Sequence, residues 1–497
     1  MIRAVAVGED GTGPAGAAAV APDARRCQPA GRLRRLTRDS MLRNSLFVFM
    51  TNAATAVLGF GFFVLAARLY TPREVGRATS LISGMGLVAY FALLGLNVTI
   101  VRYLPTSRRR DQDINTGLAL VFLAAVAFAT GYVLLLPVVA PSAARLGSTP
   151  VRAAIFVLLA ACYSVNMFTD SVFVAFRSAA YNLIVDGFIQ GFVKISLPAA
   201  LVGLGAFGLV GSVGAGSAAA AVASVVILAR RFEFRPRLQI SVASLRGMFS
   251  FSSATYLGNL LNIAPPLLLP VLIVRELGSE AAGYFYLAFN VINVVFSLSY
   301  AICLSMFAEA SHGSAPVAAL ARKAAVALCA TIVPAAALVI VTRSLVLTAF
   351  GPGYQTNASA ALTILALSAP AVAGFVLVTE LLRILAPPKV LIVLNLVFAG
   401  AVLGLSTLWS DHGLPGMAMG WLVGHAAGFL LGLVLLVAFS PRGGTETPDP
   451  SPLPEPVRAR RRGVFRILPK ESSREDNARD KALSGRGGWR RVRGARA

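Results

Sequence analysis

The chain has 497 residues, 56% of them hydrophobic and 13% charged, where a soluble protein carries about 25% charged residues. That balance excludes a soluble globular fold and implies a polytopic membrane protein. The net charge of +23 does not make the chain a nucleic-acid binder: residues 1–43 carry 8 Arg against 4 acids, residues 441–497 carry 15 Lys/Arg against 7 acids, and most of the remaining excess lies in short loops between apolar runs. A basic bias in loops and tails is a signal of membrane topology.

Residues 1–42 form a basic, low-complexity tail expected to be disordered. They hold no apolar h-region, so they do not read as a secretory signal. Met41 opens MLRNSLFVFM and is a second plausible start of translation. Apolar runs follow at 45–67, 79–101, 114–139, 151–175, 182–204, 208–229, 248–274, 281–307, 320–341, 359–381, 389–409 and 414–439. Each is near the ~20 residues that a helix needs to cross a bilayer, which predicts twelve spans. Residues 441–497 are rich in Pro, Arg and Gly and read as a second disordered basic tail. Within it VRARRRGVFRIL, residues 457–468, sets five arginines among apolar residues, a composition suited to weak binding of anionic lipid. Cys27, Cys162, Cys303 and Cys329 show neither disulfide nor metal spacing.

The stretch 65–105 organises the chain. An apolar helix ends at Arg68, a turn carrying Pro72 and Gly76 follows, and a second apolar helix runs to Arg102. In lipid, two such runs form a helical hairpin, because backbone polar groups must be satisfied internally. The pattern returns at a shift of 207. Between 45–76 and 252–283, Ser45, Asn52, Val64, Leu65, Arg68 and Gly76 meet identical residues. This predicts an internal repeat, with a six-helix lobe at 43–237 and another at 238–440. An even number of spans per repeat makes the two lobes parallel. Placing the N-terminus inside puts 14 Lys/Arg on the inner loops and 7 on the outer ones. Both termini are therefore expected to be cytoplasmic, in a multi-pass protein of the plasma (inner) membrane.

Several residues are candidates for function. Pro265, Pro266 and Pro270 interrupt the seventh span, and at the repeat shift Pro266 faces Gly59, beside Gly61. Interruptions at matched positions of two halves point to a transporter's central site, so Gly59, Gly61, Pro265 and Pro266 are expected to be gating hinges. Asn52 and Asn259, two turns earlier, are expected to line the cavity. The alternative is packing, since Gly, Pro and Asn also serve helix contacts in membranes. The fifth span carries Asn182, Asp186, Gln190 and Lys194 at a spacing of four, hence on one face. Intramembrane charges are costly and mark function by default. Gln190 is placed to bridge Asp186 and Lys194, and Lys194 is the candidate cation for an anionic substrate; hydration at the membrane surface is the alternative for Asn182 and Asp186. His425 is a weaker candidate for proton transfer. Glycines recur every fourth residue from Gly416 to Gly432, with a matching stripe at Gly208, Ser212, Gly216, Ala220 and Ser224; these let helices approach closely. The chain has no G-x-x-x-x-G-K-[ST] motif, no H-E-x-x-H and no long external loop to carry a membrane enzyme's active site. No catalytic residue, metal ligand or cofactor is expected.

LAARLYTPREVGRATSLI, followed by LGLNVTIVRYLP, resembles bacterial polysaccharide-biosynthesis flippases. These are the O-antigen and teichoic-acid exporters of the multidrug/oligosaccharidyl-lipid/polysaccharide exporter superfamily. The resemblance extends from residue 43 to about 440. It implies an all-α, MATE-like bundle of two six-helix lobes around a cavity. It also implies outward movement of a polyprenyl-diphosphate-linked oligosaccharide, with possible coupling to a proton or sodium gradient. The implied partners are the lipid-linked glycan and membrane lipids, with polysaccharide polymerase and glycosyltransferases acting alongside a monomer. Two other functions stay open at this point: a drug/cation antiporter of the same fold, and a membrane enzyme of polysaccharide assembly.

Overall fold

The structure, a computed structural model, describes residues 40–139, 149–237, 239–241, 253–311 and 316–439. The two basic tails, and with them the arginine-rich 457–468 stretch, lie outside the described residues. Among the described residues there is helix and no strand. In the first half α1 spans Ser40–Leu69, α2 Pro72–Leu93, α3 Leu96–Tyr103, α4 Arg110–Val139, α5 Pro150–Ala175, α6 Ala180–Ala200 and α7 Ala206–Arg231. In the second half α8 spans Ser253–Glu276, α9 Ser279–Ser311, α10 Val317–Phe350, α11 Pro352–Leu367, α12 Ala369–Leu385, α13 Pro388–Leu408 and α14 Gly413–Phe439.

The described part of each of the twelve apolar runs falls mainly on helix, and the exact count of twelve spans is not confirmed among the described residues. Among the described residues nine helices are long and apolar enough to cross a membrane, and counting the bent pairs α2–α3 and α11–α12 as one span each gives eleven. The remaining apolar helical stretch, Ala54–Leu69 in α1, is shorter.

The turn between α1 and α2 is built by local chemistry. Thr71 caps α2: its hydroxyl accepts from the Glu74 backbone N–H, and the Glu74 carboxylate accepts from the Thr71 N–H at 2.9 Å. Pro72 fills the first helical turn, where its missing N–H costs nothing. The preceding Tyr70 is buried and donates its hydroxyl to the Pro198 carbonyl of α6 at 2.7 Å. Burial, with the Glu74 carboxylate second, pushes the Tyr70 phenol up and keeps it a donor.

The interruptions lie elsewhere than expected. α1 runs unbroken through Gly59 and Gly61, and α8 through Pro265, Pro266 and Pro270. Membrane helices tolerate interior prolines where neighbouring helices and local adjustments satisfy the freed carbonyls, and α8 is flanked by α2 and α13. The breaks fall between α2 and α3, bent by 47°, and between α11 and α12, bent by 41°. At the first, Leu94 and Gly95 are both left-handed, with φ of 49° and 78°. The two breaks are not related by the repeat: shifted by 207, Leu94 falls on Ala301 inside α9 and Ser368 on Ala161 inside α5. A third irregularity is the π-helical stretch Leu183–Gln190 within α6.

The glycine stripes pack as their spacing predicts. A Cβ on Gly416 would lie 1.9 Å from the Trp409 carbonyl, one on Gly420 2.4 Å from the Ser406 nitrogen, and one on Gly424 2.5 Å from Val402. α14 thus lies directly on α13. Gly208, Ser212, Gly216, Ala220 and Ser224 of α7 are all buried. Beyond α7 the chain is held against the start of α4. Asn115 donates to the Arg235 carbonyl at 2.9 Å and accepts from the Arg237 N–H at 2.8 Å, and the Thr116 hydroxyl accepts from the Ser241 N–H at 3.1 Å. The halves meet along α2, which packs on α8 and α9, while α1 also reaches α10.

Candidate functional site

Three polar or close-packed features distinguish the interior. The first lies within the first half. Asn166 and Asp170 on α5 face Asn182 and Asp186 on α6. Asn166 donates its amide to Asp186 Oδ1 at 2.9 Å, and Asn182 donates to the Asp170 backbone carbonyl at 3.3 Å. The Asp170 and Asp186 carboxyl groups are within hydrogen-bonding reach of each other. Asn166, Asp170 and Asn182 each keep a buried Oδ1 with no hydrogen-bond partner among the described residues.

Gln190 and Lys194 point elsewhere. Gln190 does not bridge Asp186 and Lys194; it donates to the Ser217 hydroxyl of α7 at 2.9 Å. The π-helical turn changes the angular step along α6, so residues four apart do not stack as on a regular helix. The Lys194 ammonium lies over the rings of Phe62, 4.7 Å from its centroid, and Phe63, at 5.4 Å. It therefore ties α6 to α1 by cation–π contact. Asp170, Asn166 and Ser217 are residues that the reading of the sequence did not single out. The spacing of four between Asn166 and Asp170 was the available signal.

The second feature is a pocket of about 190 Å³ at the seam between the halves. Tyr90, Leu93, Asn97 and Val98, around the α2–α3 break, line one side; Tyr256, Asn259, Leu260, Asn262 and Ile263 of α8 line the other. The Tyr256 hydroxyl donates to the carbonyls of Tyr90 at 2.8 Å and Phe91 at 3.2 Å, next to the break. Asn262 donates to Asn395 Oδ1 at 3.2 Å. Asn259 Oδ1 accepts from Arg383 at 3.5 Å, and Arg383 pairs with Glu380 at 3.0 Å. Asn97 Oδ1 is buried and unpartnered among the described residues. Asn259 lines this pocket. Asn52 belongs to α1, and its side chain lies outside what the structure describes. Asn97 and Asn262 were missed: each lies in a continuous apolar run, and only the backbone break gives Asn97 its setting.

The third feature closes the end of the bundle that carries the α1–α2 turn. A Cβ on Gly76 would lie 1.7 Å from the Ser279 carbonyl, and one on Gly283 2.1 Å from the Pro72 carbonyl. Pro72 and Ser279 are themselves one repeat shift apart, so the contact is reciprocal. Beside it Arg68 donates to the carbonyls of Ala349 at 2.7 Å and Thr348 at 3.1 Å, in the last turn of α10. Arg68 therefore joins the two halves. His425 is buried with Nδ1 2.9 Å from the Trp421 carbonyl, among Phe375, Phe398 and Trp421. Its setting is that of a packed core residue.

This arrangement has relatives among solved structures. The chain is similar to the lipid II flippase MurJ in an inward closed conformation, with a TM-score of 0.62 and 13% identity over 79% of this chain and 87% of that one. It is similar to an inward-facing MATE family transporter of the MOP superfamily, with a TM-score of 0.61 and 12% identity over 78% of this chain and 95% of that one. A MOP superfamily transporter from Pyrococcus furiosus aligns with a TM-score of 0.53 and 12% identity, over 81% of this chain and 96% of that one. At these identities the likeness is one of fold. No curated protein matches the chain. Residues 64–359, more than half of its length, match the polysaccharide biosynthesis protein family. The chain is a multi-pass membrane protein and belongs to the polysaccharide biosynthesis protein family.

Proposed function

We propose that this protein is a flippase that moves a polyprenyl-diphosphate-linked oligosaccharide across the plasma membrane for cell-surface polysaccharide synthesis, without making or breaking a bond in it. The observation that carries this reading is the polar pocket at the seam of a membrane bundle whose hairpin end is closed. Polar side chains are costly in hydrocarbon unless they face protein or a wet cavity. At the seam they can shield a polar headgroup while its polyprenyl chain stays in lipid. The excess of basic residues on the inner loops favours cytoplasmic termini, so the pocket, near the start of α8, lies towards the cytoplasm and the Gly76–Gly283 contact closes the outer side. A cationic drug finds no carboxylate among the lining residues, which favours a glycan substrate over a drug.

The experiment is reconstitution. Vesicles containing the purified protein are loaded with a polyprenyl-diphosphate-linked sugar, and its exposure on the far leaflet is followed with an impermeant glycosidase. Exposure well above that in protein-free vesicles is expected. Equal rates in the two vesicle types, together with normal surface glycan in cells depleted of the protein, would sink the reading.

The carboxyl and amide cluster of α5 and α6 suggests how transport is driven. Two carboxyl groups in contact, surrounded by unpartnered oxygens, are satisfied by a shared proton or a small cation. We place coupling to a proton or sodium gradient at Asp170 and Asp186. Asp186→Asn is expected to leave gradient-free exchange intact and to abolish its acceleration by an imposed gradient. Undiminished acceleration in both Asp186→Asn and Asp170→Asn would remove the cluster from the coupling step.

A further inference from the structure

We infer that the seam pocket is a sugar subsite: it takes one neutral saccharide ring of the lipid-linked glycan and leaves the diphosphate outside. This rests on the flippase reading above and adds which part of the substrate the pocket recognises.

The argument is one of matching groups. The polar side chains lining the pocket are three carboxamides and two phenols, Asn97, Asn259, Asn262, Tyr90 and Tyr256, and no lining residue is charged. A carboxamide both donates and accepts, as a sugar hydroxyl does, so the two pair in either direction. A diphosphate only accepts and is met by the cationic forks and ammonium groups that this lining lacks. The pocket volume of about 190 Å³ is below the roughly 300–1,000 Å³ of pockets that bury drug-sized ligands, and suits a single ring.

The hydrogen-bond inventory leaves groups free for such a ligand. Asn97 Oδ1 is buried with no partner among the described residues, and a polar atom in that state needs a donor. Asn262 spends one amide N–H on Asn395, which leaves its oxygen as an acceptor. Asn259 gives its oxygen to Arg383 and keeps its amide N–H groups. Together these offer acceptors on Asn97 and Asn262 and donors on Asn259. The apolar members Leu93, Val98, Leu260 and Ile263 provide the surface on which the C–H face of a sugar ring lies. Arg383 is not among the lining residues; it stands behind Asn259, paired with Glu380. A cation is thus available beside the pocket, where the diphosphate of a seated glycan would pass.

The test uses the full-length protein purified in detergent and two probes: a polyprenyl diphosphate bearing one N-acetylhexosamine, and the same lipid without the sugar. Binding is read by native mass spectrometry. The wild type is expected to prefer the sugar-bearing lipid by about tenfold, the value of one or two net hydrogen bonds. Asn97→Ala and Asn259→Ala should each bring that preference down several-fold while leaving the affinity for the bare lipid unchanged. Asn259 is exposed, so its removal does not threaten folding. A preference undiminished in both variants overturns the sugar subsite. Equal binding of the two lipids by the wild type also overturns it and leaves the flippase reading standing. Binding of neither lipid overturns the flippase reading itself.

Discussion

Lys194 shows what a single residue's sequence context can and cannot say. An ammonium within an apolar span, four residues from Gln190 and eight from Asp186, reads as part of a polar ladder on one helix face. The structure leaves the side chain half-buried and places its ammonium over Phe62 and Phe63 of α1. Nothing in the spacing along α6 tells that the partner is aromatic or which helix supplies it. The Asp170–Asp186 contact was illegible for the same reason: the two acids lie on consecutive helices and meet only when α5 and α6 turn back on each other. A cation–π contact is worth about 0.5–1 kcal/mol at an exposed site and about 2 kcal/mol when desolvated, and the half-buried Lys194 lies between the two. Lys194→Ala is therefore expected to lower the stability of the detergent-solubilised protein by about 1–2 kcal/mol, as a fall in melting temperature. Lys194→Arg should retain most of it, because a guanidinium also stacks on aromatic rings. An unchanged melting temperature with lost flipping would assign Lys194 to the substrate diphosphate.

At the scale of elements, the sequence was legible wherever one helix decides its own structure. The apolar runs became helices, the Thr71–Pro72–Glu74 cap starts α2, and the glycine stripe of α14 lies on α13. Helix breaks were not legible. Counting glycines and prolines pointed to α1 and α8, yet both run through them, because a membrane helix can carry proline when its neighbours cover the freed carbonyls. The real break, Leu94–Gly95, sits in LLGLN, which hydropathy reads as an unbroken apolar run. What sets it is two consecutive left-handed residues, and only one of them is glycine. Substituting each glycine separates the two settings. Gly95→Ala must place a Cβ residue at φ 78°, at a cost of roughly 1–2 kcal/mol, and should weaken binding at the adjoining seam pocket. Gly59 is helical, and a Cβ there would meet no atom within 4 Å, so Gly59→Ala should stabilise α1 by up to about 1 kcal/mol. Thermal melts of the two variants check both signs; a loss of stability on Gly59→Ala would show that α1 bends there.

The whole molecule adds the relation between the halves. The 207-residue shift was visible in the sequence as Gly76 matching Gly283, but nothing there said that the two glycines touch. They do so because the repeat brings the first turns of α2 and α9 together at the hairpin end, each glycine under the other half's carbonyl: Gly76 under Ser279 and Gly283 under Pro72. No real Cβ fits at 1.7 or 2.1 Å, so any side chain at either position must push the two helices apart. Arg68 on the α10 carbonyls reinforces closure at the same end, where a cation also meets the negative pole of a helix. Its repeat mate Arg275 pairs instead with Glu276 at 3.5 Å, so the reinforcement is one-sided. If transport alternates between the two ends, this contact closes in one phase and parts in the other. Gly76→Leu is then expected to hold the hairpin end open, with an overpacking cost of about 1–3 kcal/mol if the closed state is forced. A cysteine pair at positions 72 and 279 reads the contact directly. It should cross-link efficiently in an otherwise unaltered chain and poorly when Gly283→Leu is added, with flipping lost in parallel. Undiminished cross-linking in the Gly283→Leu background would mean that the helices accommodate the side chain without parting, and the hairpin end would no longer qualify as a gate.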